Sequence, residues 1–367
     1  MAKIKYWDIK NILSRNAQYN LIIGERSNGK TYGTLQHGLE EYFSNGGEMA
    51  IIRRWEEDFR GKQASTMFDS LISNGVISKL SKGKWNSVLY QSHRWFMCKR
   101  DAENPKNIVV ADFPFAYAFA ITSDEHYKSS SYPRITTIIF DEFLTRDNYI
   151  PDEFIHFMSI LSTIIRLRTN VTIFMLGNTV NKYSPYFTEM GLSNIKKLQP
   201  GKIDVYTYGD SGLTVAIEYS DFPSHQKKSN VYFAFNNPKL EMTRTGAWEM
   251  DIYPHLPIKY KPKHIIYKYY IEFDGERLQC EIINIKDEDK NDLLFTYIHR
   301  KTTEIKEDGY SLVFSDKPSV LPTHRKKMTK PITELEKKIA SFFIIDKVFY
   351  QDNEVGEIVR NYLAWCK

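Results

Sequence analysis

The chain has 367 residues, 42% hydrophobic and 26% charged, enough for one large core and a second, smaller one. Its net charge of +5 excludes the blanket basic character of histone-like proteins and leaves any nucleic-acid contact to local patches. No apolar run approaches the roughly 20 residues that cross a bilayer, the start lacks a signal peptide's apolar stretch, and Cys98, Cys280 and Cys366 form no C-x-x-C pair, so an intracellular chain with free thiols and no membrane span is expected.

Tyr19 to Ile23 reads as a short buried strand, Gly24 to Gly29 as a turn-rich loop, and Lys30 to Phe43 as a helix. Further strands are predicted at 49–53, 107–111, 135–140 and 171–176. Asp152 is placed to cap a helix whose apolar residues Phe154, Ile155, Met158, Leu161, Ile164 and Ile165 recur near helical spacing, and which ends at Arg166-Leu167-Arg168. Strands apolar on both faces that alternate with helices predict an α/β fold, a mostly parallel sheet flanked by helices.

After about residue 200 the pattern changes to β segments with turn signals such as Tyr208-Gly209-Asp210-Ser211-Gly212. The expected organisation is a P-loop domain with a lid region over 1–222, a linker over 223–257 and a smaller α+β domain over 258–367. That last part reads as a hairpin, Ile265 to Phe273 and Leu278 to Ile285 around a turn at Asp274–Arg277, followed by helices from Pro331. The many aromatics, 14% of the chain, are expected mainly in packing.

Gly24-Glu25-Arg26-Ser27-Asn28-Gly29-Lys30-Thr31 matches G-x-x-x-x-G-K-[ST] in full, after a strand and opening a helix. Such a loop wraps phosphates with backbone N–H groups; Lys30 reaches the β/γ-phosphates and Thr31 Oγ ligates Mg²⁺. Ile138-Ile139-Phe140-Asp141-Glu142 supplies the second acidic motif, with Asp141 assigned to the metal and Glu142 to the general base. A strand between this motif and the P-loop strand, and a glutamate directly after the aspartate, are the pattern of ASCE-type motor ATPases rather than small-molecule kinases. Asn178 ends the next strand where a polar amide can sense the γ-phosphate. Arg166 and Arg168 are candidates to reach a neighbouring subunit's nucleotide.

Together, Gly24 to Thr31, Thr136 to Phe143, Ile165 to Arg168 and Phe174 to Asn178 resemble the genome packaging ATPases of small, short-tailed, protein-primed phages. The resemblance covers roughly residues 19–180. It implies a pentameric ring, docked through a structural packaging RNA on the portal of a procapsid in the infected cell's cytoplasm, that drives double-stranded DNA inward on ATP and Mg²⁺. It also implies that Lys128 acts across the subunit interface and that the C-terminal domain is an RNase H-like, degenerate nuclease; Glu272 and Asp274 are too few carboxylates for two-metal cleavage.

Arg53, Arg54, Arg60 and Lys62 are candidates for DNA phosphate contacts, with Glu56, Glu57 and Asp58 among them. Residues 259–264 and 324–330 are the densest basic clusters of the C-terminal half. A helicase acting on single strands and a nucleotide-dependent binding switch or scaffold share the same ATP signature and stay open as alternatives.

Overall fold

The run Tyr19–Gly24 forms β1, buried at every position: Leu21 and Ile23 face one hydrophobic core and Ile22 the other. In the computed structural model, residues 7–101, 103–104, 107–146, 149–179, 181–221, 250–286, 291–305 and 310–367 are described. They divide into two compact units, Met1–Glu249 and Met250–Lys367.

The first unit is built on a ten-stranded sheet in the order Ser87–Gln91 (β3), Arg94–Arg100 (β4), Ala116–Ala120 (β6), Glu48–Arg53 (β2), Ile135–Asp141 (β7), Thr172–Asn178 (β8), β1, Leu213–Tyr219 (β10) and Ile203–Tyr208 (β9), with Ile108–Val110 (β5) paired to β4. Its parallel centre runs from Ala116–Ala120 (β6) through Glu48–Arg53 (β2), Ile135–Asp141 (β7), Thr172–Asn178 (β8) and β1 to Leu213–Tyr219 (β10). As expected, β8 separates the acidic strand β7 from the P-loop strand. The short helix Lys10–Leu13 (α1) and the long helix Lys30–Asn45 (α2) belong to one face, which also carries the small helices Lys62–Ser65 (α3), Asp69–Ser73 (α4) and Val76–Leu80 (α5). Glu153–Ile165 (α6) and Pro185–Glu189 (α7) pack on the other. There Tyr186 packs edge-on to Phe140, Phe143 and Phe157 with ring centroids 5.6–5.8 Å apart, so these aromatics are core.

A strand forms within 107–111 as expected, but it does not belong to the parallel centre. Ile108–Val110 (β5) is a short, largely exposed antiparallel strand beside Arg94–Arg100 (β4), and the parallel strand is β6, Ala-Tyr-Ala-Phe-Ala. Alternating alanines conceal that strand, because the β signal comes from branched and aromatic side chains. Residues 56–100, for which no elements were expected, form a 3-10 turn, the three small helices and the hairpin of Ser87–Gln91 (β3) with β4. Trp95 anchors it, fully buried with Nε1 donating to the Ala64 carbonyl at 2.9 Å. The β segments expected after about residue 200 extend the sheet: Ile203–Tyr208 (β9) pairs antiparallel with β10, which lies directly against β1. Asp152 precedes α6 but makes no side-chain cap; its φ of 54° turns it away.

In the second unit six strands have the order β15-β14-β11-β12-β13-β16. Ile265–Phe273 (β11) and Glu276–Lys286 (β12) form the expected hairpin, closed by only two residues, Asp274 and Gly275, both with positive φ as a type I′ turn requires. Asp292–Arg300 (β13) continues the meander; Val313–Ser315 (β14) lies parallel to β11, His324–Arg325 (β15) parallel to β14, and Val348–Tyr350 (β16) parallel to β13. Glu334–Ile344 (α8) is capped by Thr333 and Asn353–Trp365 (α9) by Asp352. Most of the expected linker lies outside the described residues, but 250–257 belong to the second unit: Tyr253 donates to Glu357 at 2.8 Å and Tyr350 N to the Pro254 carbonyl at 2.8 Å. No helix among the described residues is long and apolar enough to cross a membrane.

Candidate functional site

Because β1, β2, β7 and β8 are adjacent and parallel, Gly24, Arg53, Asp141 and Asn178 end on one edge of the sheet. Ligands of open parallel sheets bind at that edge. A cavity of about 1150 Å³ opens there, lined by the P-loop from Arg26 to Thr31 and by Arg53, Asp141, Glu142 and Asn178. That is ample for a nucleoside triphosphate.

The loop has the backbone such a site needs: Gly29, at φ 99°, precedes α2 in the left-handed region, and Ser27 is also left-handed. The free helix N-terminus therefore faces the cavity with its N–H groups. Lys30 is folded onto the loop, donating to the Gly24 carbonyl (3.2 Å), the Glu25 carbonyl (2.6 Å), Asn28 Oδ1 (3.2 Å) and Asn178 Oδ1 (3.4 Å). Burial lowers its pKa to about 8, although Asp141 and Glu25 pull the other way.

That depression gives nucleotide binding a pH signature. Phosphates beside Lys30 favour the ammonium, so binding takes up a proton once the free lysine has begun to lose its own. The Lys30 contribution to affinity therefore falls as pH rises through about 8. Titration calorimetry in two buffers of different ionisation enthalpy checks this; zero proton uptake at pH 8.5 contradicts it.

Thr31 Oγ1 donates to Asp141 Oδ1 at 3.2 Å, which brings a hydroxyl and a buried carboxylate together at the loop. Both are hard oxygen donors of the kind Mg²⁺ takes when phosphates and water complete its shell. Among the described residues no group of three His, Cys, Asp or Glu side chains is placed to hold a metal ion. Arg53 Nη2 lies 2.7 Å from Asp141 Oδ2, a cation already resting on that carboxylate. Glu142 is 61% exposed into the cavity and lies 3.9 Å from Arg53 Nη1.

The remaining sequence candidates divide cleanly. Gly24, Glu25, Arg26, Ser27, Asn28, Gly29, Thr31, Asp141, Glu142 and Asn178 come together at this edge. Lys128 is exposed and paired with Glu125; Arg166 donates to the Ser130 carbonyl at 2.9 Å and Arg168 to those of Tyr132 and Ile135. None of the three lines the cavity of its own chain. Of the four cations expected on DNA phosphates, Arg60 and Lys62 are exposed, whereas Arg53 and Arg54 are turned inward onto carboxylates. Two arginines ending a buried strand beside the acidic strand are the signal for that inward role.

Sequence reasoning missed a second contact layer. Asn28 Nδ2 donates to Ser220 Oγ at 3.1 Å, Trp7 N to the Asn28 carbonyl at 3.1 Å, and the Trp7 indole to Glu218 at 3.0 Å. Burial pushes the Glu218 carboxyl up to about 7, against the stabilising Trp7 donor. Ser220, 192 positions from Asn28, carries no motif, and only the pairing of β10 with β1 brings it to the loop. Gly177 packs as tightly: a Cβ there would lie 2.8 Å from Leu144 and 2.9 Å from Phe143. Gly177→Ala is expected to cost about 1–3 kcal/mol by overpacking, read as a lower Tm; an unchanged Tm contradicts that contact.

Compared with known proteins, the sequence matches the podovirus DNA encapsidation protein (Gp16) family over residues 104–234. The DNA packaging protein of Bacillus phage B103 is 27% identical over 184 residues, 49% of this chain and 50% of the relative; that of Bacillus phage phi29 is 23% identical over 233 residues, 62% of this chain and 61% of the relative. Over these stretches the chain is similar in sequence to podovirus DNA encapsidation and packaging proteins. It spans between half and about three-fifths of the length of these curated relatives. The solved Phi-28 gp11 DNA packaging motor superposes over 100% of this chain and 99% of its own, with a TM-score of 0.52 at 18% identity, and so shares the fold.

Proposed function

We propose that the chain is an ATP-hydrolysing motor that translocates double-stranded phage DNA into a procapsid. The observation that carries the chemistry is the junction of Thr31 and Asp141 at 3.2 Å, with Glu142 at the next position opening into the same cavity. Thr31 and Asp141 would hold Mg²⁺, the P-loop amides and Lys30 the phosphates, and Glu142 would take a proton from the attacking water. Bound Mg²⁺ supplies charge neutralisation at the phosphates. Asn178, within 3.4 Å of Lys30, is placed to register the γ-phosphate. The kinship with DNA encapsidation and packaging proteins supports DNA as the load.

The position of Lys128, Arg166 and Arg168 outside their own chain's cavity supports action on a neighbour's nucleotide in a ring, a pentamer by resemblance. Structural RNA and the portal are the proposed docking partners. For the second unit, the order β15-β14-β11-β12-β13, three antiparallel strands followed by two parallel ones, supports the RNase H-like reading. Its degenerate character is supported by Arg277, 3.6 Å from Glu272. Lys259, Lys261 and Lys263 are exposed and fit phosphate contacts, whereas Arg325 is taken by Glu336 at 2.8 Å.

The test is ATP hydrolysis measured against protein concentration, with and without duplex DNA. A rate that rises faster than linearly and increases with duplex DNA supports a motor with shared sites. A linear rate indifferent to DNA favours a switch, and preference for single strands favours a helicase.

A further inference from the structure

Arg53, the last residue of β2, and Arg54, directly after it, bracket the turn after β7 from opposite sides. Arg53 reaches the carboxylates of Asp141 and Glu142, while Arg54, 7% exposed, reaches the backbone behind them. Its Nη2 donates to the Phe143 carbonyl at 2.8 Å and its Nη1 to the Glu142 carbonyl at 3.3 Å. The same guanidinium is gripped by Glu153, Nε to Oε2 and Nη2 to Oε1, both at 2.9 Å. Glu153, 2% exposed at the start of α6, also accepts from Tyr186 Oη at 2.8 Å and from the Ile150 amide at 2.9 Å.

The turn needs holding. Glu142 has φ 62°, a left-handed conformation that residues with a Cβ rarely adopt and that persists only where the surroundings enforce it. This conformation turns the Glu142 carbonyl toward Arg54 while its side chain opens into the cavity. A buried ion pair adds little to stability against an apolar pair of the same volume. What this one supplies is a rigid fork of charge-assisted donors for two carbonyls.

We infer that Arg54, fixed in place by Glu153, is a positioning residue that imposes the left-handed turn at Glu142 and so aims its carboxylate into the nucleotide cavity. This rests on the reading of Glu142 as general base. Arg54→Lys keeps a charge for Glu153, but its donors all leave one nitrogen and lack the planar fork that spans the carboxylate and two carbonyls.

The experiment measures kcat and nucleotide Kd for Arg54→Lys, Glu142→Gln and the double variant, in the full chain. The expected result is a kcat about 100-fold lower in Arg54→Lys with a Kd within about twofold of wild type, as misplacement of a reacting group predicts. Adding Arg54→Lys to Glu142→Gln is expected to cost nothing more, a non-additivity that mere loosening of the fold does not give. Where Arg54→Lys fails to fold, Arg54→Met with Glu153→Leu, which removes both buried charges, is read in the same way. A kcat within about threefold of wild type in the folded variant, or fully additive losses, overturns the inference. Should Glu142→Gln itself hydrolyse at the wild-type rate, the reading of the site fails instead, and the two failures are distinct.

Discussion

Glu142→Gln is expected to leave a chain that binds ATP with Mg²⁺ and hydrolyses it about 10²–10⁴-fold more slowly, the usual contribution of a positioned general base. Glutamine has the same shape, keeps an oxygen facing Arg53 Nη1 and leaves Thr31, Lys30 and the P-loop amides untouched. What it loses is the capacity to take a proton. Since the Glu142 side chain is 61% exposed and its approach to Arg53 is a long 3.9 Å, the Tm should move little. Single-turnover hydrolysis beside a fluorescent-nucleotide binding assay separates the two effects. Hydrolysis within tenfold of wild type would exclude Glu142 as the base.

Lys30→Met acts on the other side of the cycle, with an expected loss of about 100-fold or more in nucleotide affinity, about 2.7 kcal/mol. The ammonium that must swing onto the phosphates is, in the free chain, satisfied by two loop carbonyls and two side-chain amides. Its lowered pKa records that burial disfavours its charge. Methionine fills similar volume without that charge, so the nucleotide-free Tm should hold or rise while binding is lost, as where a functional group is kept at the expense of stability. A variant that binds nucleotide normally would show that the loop holds phosphates by its amides alone.

The parts of this fold that are legible in sequence are those where a local pattern dictates geometry. The P-loop and the acidic strand are each written in fewer than ten consecutive residues, the hairpin in two β runs about a turn, and the structure forms all three. Residues 62–80 escape because helices of four or five residues complete too little of a turn pattern to show a period. The strand β6 escapes because its alanines look neutral, and its parallel place beside β2 arises only from tertiary pairing. Arg53 and Arg54 show the limit for the site: basic residues after a strand suggest an anion in solution, yet their anions are Asp141 and Glu153, 88 and 99 positions away. Sequence records the charge but not the partner.

Lying beside the P-loop strand, β10 also determines how the chain bears mechanical load. From Tyr19↔Val215 to Ile23↔Tyr219 its parallel register with β1 is unbroken, and β9 flanks it on the other side. Tension applied along the chain at Ser220 is therefore met in shear, with both ladders loaded at once rather than unzipped bond by bond. Ser220 itself donates its amide to the Ile23 carbonyl at 2.8 Å and accepts from Asn28 of the phosphate loop. A pull arriving from the C-terminal direction thus ends on Asn28 of the loop that opens α2.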